Sequence, residues 1–98
     1  MLYRIVTEDK RRKAIWEIID KYYYGYTWWP AHGVWKGKHE RSLVIEIDAG
    51  RSAYQHIRFL AQKIAAVNHQ ECVLTQRLKS DSRLIAAEGV HRLITLEA

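Results

Sequence analysis

The sequence predicts an α+β fold, an antiparallel sheet with two helices packed on one of its faces. Three observations carry this reading. Apolar residues alternate with polar ones in the short run Ser42–Asp48, with a β-prone run at Leu2–Thr7, as half-buried strands require. They recur at helical spacing through Ile15, Ile18, Ile19 and Tyr22, and again through Ala53, Ile57, Leu60, Ala61, Ile64 and Val67. The segments then follow one another as strand, helix, strand, strand, helix, strand.

Taken in order, Leu2–Thr7 places Tyr3 and Ile5 on one face and Leu2, Arg4 and Val6 on the other. A helix is expected from Asp9 to about Tyr23, capped by Thr7 or Asp9 and ended by Gly25. Tyr26–Trp35 is rich in β-formers but holds the only proline, Pro30, which suits an edge strand or an irregular entry to a regular strand from His32 to Lys36. Lys36-Gly37-Lys38 reads as a turn, and Ser42–Asp48 as a strand with Leu43, Ile45 and Ile47 on its buried face. Asp48 or Ser52 can cap the long helix Ser52–Val67, which shows Gln55, Arg58, Gln62 and Lys63 outward. Glu71–Leu78 regains β character, Lys79–Ser82 is a turn, and Arg83–Ala87 and Val90–Leu96 form one or two final strands.

At 98 residues the chain is a single domain, 1–98, and a hydrophobic content of 48% suffices for a packed core. No apolar run approaches the roughly 20 residues that span a bilayer, and no signal-peptide pattern opens the chain, so a cytoplasmic location is expected. Cys72 is the only cysteine, which excludes an internal disulfide and a multi-cysteine zinc site. The formal charge of +5 favours anionic partners, yet basic and acidic residues are interspersed and no nucleic-acid motif is present, which argues against nucleic acid.

The element order matches the split βαβ, ferredoxin-like sandwich, here with an extra C-terminal strand. The second face of such a sheet needs cover, so a homo-oligomer formed through it is expected. Four short motifs point the same way: Gly25-Tyr26-Thr27, Gly33-Val34-Trp35, Glu40-Arg41-Ser42 leading into Leu43-Val44-Ile45-Glu46-Ile47, and Gln70-Glu71-Cys72-Val73-Leu74. Their layout, over Leu2 to Leu78, resembles a bacterial and phage-associated family of small uncharacterised proteins. There G-(F/L/Y)-T, G-x-W, E-x-S and Q-E-x-V-L recur in this order around a long helix. The resemblance implies the ferredoxin-like fold and, through the phage association, a role such as sequestering a host signalling nucleotide or blocking a host defence protein.

Most of the aromatic residues fall between Tyr22 and Glu40. Tyr24, Tyr26, Trp28, Trp29 and Trp35, with Lys36, Lys38 and Arg41 beside them, are the expected ligand-binding residues: rings to stack a base or sugar, cations to neutralise a phosphate. Packing of the same rings into the sheet or an oligomer interface is the competing reading. Lys10-Arg11-Arg12-Lys13 places basic charge at the start of the first helix, against its dipole, at a cost of roughly 0.3–1 kcal/mol.

His32, His39 and Glu40 are the only residues whose spacing suggests metal ligation or acid–base work across a hairpin, but they match no established metal motif. His56, His69 and His91 stand alone. Cys72 is expected as a buried core thiol, and neither a nucleophile elbow nor a glycine-rich phosphate loop occurs. Neither a catalytic set, nor a metal, nor a cofactor is therefore expected. The leading expectation is a non-enzymatic binding protein for an anionic or nucleotide-like ligand or a protein partner. A small metal-assisted or His/Glu-dependent enzyme and a purely structural interaction module are the alternatives.

Overall fold

The computed structural model describes residues 1–78. The turn at Lys79–Ser82 and the final strands expected over Arg83–Ala87 and Val90–Leu96 lie outside the described residues. The described chain runs β1 (Leu2–Glu8), α1 (Arg12–Asp20), β2 (Thr27–Trp35), β3 (Lys38–Asp48), α2 (Tyr54–Asn68) and β4 (Leu74–Leu78). The sheet order is β2-β3-β1-β4, and every neighbouring pair is antiparallel. Each helix therefore joins two parallel strands that leave room for a third between them: β3 lies between β1 and β2, and β1 between β3 and β4.

Strand alternation sorts the residues of this sheet. Tyr3 and Ile5 of β1 face the helices beside Leu43, Ile45 and Ile47 of β3, in the register Ile5 opposite Ile45 and Tyr3 opposite Ile47. Ile15 and Ile19 of α1 and Ile57, Leu60 and Ile64 of α2 close over them, and all of these side chains are fully buried. Burying one such side chain stabilises the fold by about 1.5–3 kcal/mol. The outer face keeps a polar and apolar mixture, including the Arg4–Glu46 ion pair, with Arg4 Nε donating at 2.9 Å.

The expected elements are present with altered ends. No side chain caps α1; Arg11 adopts a left-handed φ of 53° there, and the Asp9 carboxylate instead takes both Arg12 donors at 2.7 Å. The basic run is thus offset by neighbouring acids, Lys10 by Glu8 at 2.9 Å and Arg12 by Asp9. The helix stops at Asp20, five residues before Gly25, and Tyr22 leaves the core to meet His56 and Phe59 edge-on. Neither Asp48 nor Ser52 caps the second helix, which is entered through a 3-10 turn at Arg51–Ala53. The Tyr3 hydroxyl serves that corner, donating to the carbonyls of Gly50 at 2.7 Å and Arg51 at 3.1 Å.

β2 is one continuous strand that includes Pro30, and its place at the sheet edge explains how a residue without an N–H is accommodated. The turn to β3 is a two-residue one with Lys36 at φ 52° and Gly37 at φ 76°, the left-handed pair that matches the twist of a hairpin. β4 starts only at Leu74, so Cys72 sits in the preceding connection and is exposed, not a core thiol within a strand.

Replacing Tyr3 by phenylalanine removes the hydroxyl that serves the Gly50 and Arg51 carbonyls, Gly50 keeping its bond from the Ala53 N–H, while preserving the ring in the core. The expected loss is about 1–2 kcal/mol in urea unfolding, against about 2–5 kcal/mol for Ile45→Ala, which opens a cavity.

Candidate functional site

The β2–β3 hairpin is longer than β1. Pairing between β1 and β3 ends at Glu8 opposite Ser42, whereas the hairpin continues to Trp35 opposite Lys38. Its overhanging arm faces the connection between α2 and β4, and the two are bridged by Lys36 Nζ and Glu71 Oε2 at 3.2 Å. Between them lies a cleft of about 600 Å³. Val6, Ser42 and Leu74 form its floor on the sheet face away from the helices. Gly33, Val34 and Trp35 give one wall and His69–Val73 the other.

Both walls are positioned by local chemistry. Helix α2 ends with His69 in the left-handed conformation, the His69 N–H reaching the Ala66 carbonyl and the Gln70 N–H the Ala65 carbonyl, which reverses the chain. Asn68, fully buried, then donates to Thr7 Oγ1 and to the Glu8 carbonyl, both at 3.3 Å. Thr7 Oγ1 donates to Gln70 Oε1 at 2.6 Å, and Gln70 Nε2 donates to the Cys72 carbonyl at 2.8 Å. On the hairpin side, a Cβ at Gly33 would stand 2.5 Å from Ser42 Oγ, so any larger residue there would force that hydroxyl to turn away.

At the mouth, Glu8 of β1 and Glu40 of β3 form a hydrogen-bonded carboxyl pair with Lys10 and Lys38 near by. The hydrogen bond from Lys10 holds the Glu8 carboxyl below the usual glutamate range, with Glu40 and both lysines adding to it. Desolvation pushes the Glu40 carboxyl up, and its hydrogen bond to Glu8 and the negative charge there push it further. The two neighbouring carboxyls thus differ in proton affinity, Glu40 the higher and Glu8 the lower. Lys36 is taken by Glu71 and Lys10 by Glu8, while Lys38 makes no ion pair among the described residues. Together they give the cleft a hydrophobic body with a carboxyl of raised proton affinity and a spare positive charge.

The aromatic and basic residues expected to bind a ligand are distributed over several surfaces. Trp35 and Lys38 line the cleft, and Lys36 latches it, its Nζ also lying 5.7 Å from the Trp35 ring centroid. Tyr26 and Trp28 lie on the helix side, each stacked or tilted against Trp16 of α1 at 5.6 and 5.2 Å, with the Arg12 guanidinium 4.7 Å over Trp28. The Tyr26 hydroxyl donates to Asp20 Oδ1 at 2.6 Å, and desolvation together with that carboxylate pushes it up to about 12. Trp29, one residue on from Trp28, points to the other sheet face, and Tyr24 is fully exposed in the α1–β2 connection. Arg41 stands opposite His32 on the helix side, where its charge adds to the lowering of the Asp9 carboxyl begun by Arg12.

The trio His32, His39 and Glu40 is divided in the same way. His32 and His39 meet, but Glu40 follows His39 directly on β3 and so points to the opposite face, into the cleft. Among the described residues no group of three or more His, Cys, Asp or Glu is placed to hold a metal ion, and no helix is long and apolar enough to cross a membrane. Glu8, Lys10 and Val6 were not apparent as site residues in the sequence; the weak sign was an acidic residue at the end of β1 directly before a basic run.

No protein-family model matches this chain, and no curated protein matches it.

The carboxyl pair sets a pH dependence. Because Glu40 holds its proton more tightly in the folded chain, its contribution to stability is full below the ordinary glutamate value of 4.5 and is lost as pH rises through the raised one. Glu40→Gln keeps a neutral donor at every pH. The variant is expected to have the higher urea midpoint at pH 7 and to lose that advantage by about pH 4.

Proposed function

We propose that this chain is a binding protein of ferredoxin-like fold that takes a small, flat, anionic ligand of nucleotide-like character into the cleft over its open sheet face. The fold assignment is supported by the two helices that each connect parallel strands around an intervening antiparallel one. The observation that carries the binding reading is the cleft itself. Three of the sequence motifs, Gly33–Trp35, Glu40–Ser42 and Gln70–Leu74, converge on it from separate stretches of chain. In this reading Trp35 stacks on the ligand ring, Lys38 neutralises its anion, and Glu40, where it carries its proton, donates to a ligand acceptor. The same reading keeps the phage-associated role in sequestering a host signalling nucleotide, in the cytoplasm. Self-association uses the remainder of the outer face, where Trp29 is exposed.

The Glu8–Glu40 pair favours one second reading, an acid–base enzyme working in the same cleft, since two carboxyls of divided protonation are what such chemistry needs. In an enzyme, Glu40→Gln would still bind ligand but not turn it over.

Titration with nucleoside monophosphates, followed by tryptophan fluorescence and calorimetry, tests the proposal. Trp35→Ala is expected to weaken binding roughly 5- to 150-fold, the equivalent of about 1–3 kcal/mol of stacking, with an unchanged unfolding midpoint. Lys38→Ala is expected to weaken it for the phosphorylated ligands and not for the free nucleosides. Equal affinity in wild type and Trp35→Ala, or no saturable binding across the series, sinks the reading.

A further inference from the structure

Away from the cleft, on the other face of the hairpin arm, His32 Nε2 and His39 Nδ1 lie 2.6 Å apart, their rings at 4.9 Å between centroids and 49° between planes. Both side chains are exposed. They come from neighbouring antiparallel strands, in diagonal positions across a register that puts His32 opposite Arg41 and Val34 opposite His39. The turn between them, with its left-handed Lys36 and Gly37, matches the twist of that register.

We propose that His32 and His39 form a bidentate site for a tetragonal transition-metal cation of the copper(II) and nickel(II) class. Imidazole nitrogens are good donors to borderline metals; of the two facing nitrogens one carries the hydrogen-bonding proton, and moving that proton to the same ring's other nitrogen leaves both facing lone pairs for a metal. The spacing selects among such metals. With metal–nitrogen bonds of about 2.0–2.1 Å, two cis ligands at 90° sit about 2.9 Å apart, and two tetrahedral ligands about 3.3 Å apart. The observed 2.6 Å lies closer to the cis tetragonal spacing, so the rings open only slightly to admit copper or nickel and further to admit zinc. With Glu40 turned to the other face, two protein nitrogens leave the remaining positions to water or to an outside donor. Arg41, the one charged residue directly across from His32, disfavours the cation and limits the affinity.

Nickel(II) is the probe of choice, because copper(II) also reacts with the exposed Cys72 thiol. Calorimetry on the full chain is expected to show one nickel per chain, bound saturably and more tightly than zinc. Binding should be lost in both His32→Ala and His39→Ala and strengthened in Arg41→Gln. Because the metal binds the folded hairpin, nickel at a hundred times its dissociation constant should raise the folded-to-unfolded ratio about 100-fold in wild type and in neither histidine variant. Copper(II) added to Cys72→Ser should give an electron paramagnetic resonance spectrum with two equivalent nitrogens. Absence of saturable nickel uptake, uptake that survives both histidine variants, or zinc binding tighter than nickel would overturn the proposal.

Discussion

Sealing Tyr3, Ile5, Leu43, Ile45 and Ile47 under the two helices fixes the facing of every other residue in the sheet. A strand has a side-chain period of two, so a slip of one residue between β1 and β3 would carry the whole apolar row into solvent, at a cost of several side chains each worth about 1.5–3 kcal/mol. With that register held, neighbours in sequence become strangers in space. Trp28 joins Trp16 on the helix side while Trp29 faces outward, and His39 meets His32 while Glu40 meets Glu8. The chemistry of both faces of the hairpin follows from the packing of isoleucines some distance away.

A second, smaller device sets the cleft. The connection after α2 would be free to wander if Asn68, Thr7 and Gln70 did not knot it to the end of β1 through buried and half-buried hydrogen bonds. Buried polar groups are costly when unpaired and directional when paired, which makes such a knot a means of placing a loop. Within the knot itself, the Asn68 Oδ1 acceptor has no hydrogen-bond partner among the described residues. The exposed Lys36–Glu71 bridge on the far side contributes little by comparison, since solvent and salt screen it.

The sequence made the periodic parts of this architecture legible. The alternation of Leu43, Ile45 and Ile47 and the spacing of Ile57, Leu60, Ala61 and Ile64 are read directly from residue type, and these are the residues found buried. What depended on contacts between distant segments was not legible. Asp9 looked like a helix cap but finds a better partner in Arg12, and Tyr3, not a local serine or aspartate, serves the start of α2. The cleft was half visible: Trp35 and Lys38 stood out as ring and charge, whereas Glu8 and Lys10 enter it only because β1 ends beside an overhanging hairpin. Grouping residues by closeness in sequence joined Tyr26, Trp28 and Trp29 to that site, although alternation and α1 draw them elsewhere.

Among the described residues β2 is also an edge strand, nine residues long and heavy with tryptophan, the kind of strand on which other chains add and polymerise. Pro30 stands near its middle. With no N–H to offer and a ring projecting from the backbone, it interrupts the row of outward donors and acceptors, so that neither half of the strand presents the six or seven uninterrupted residues from which cross-β stacks grow. The residue that makes β2 look least like a strand in the sequence thus also acts as its guard against aggregation.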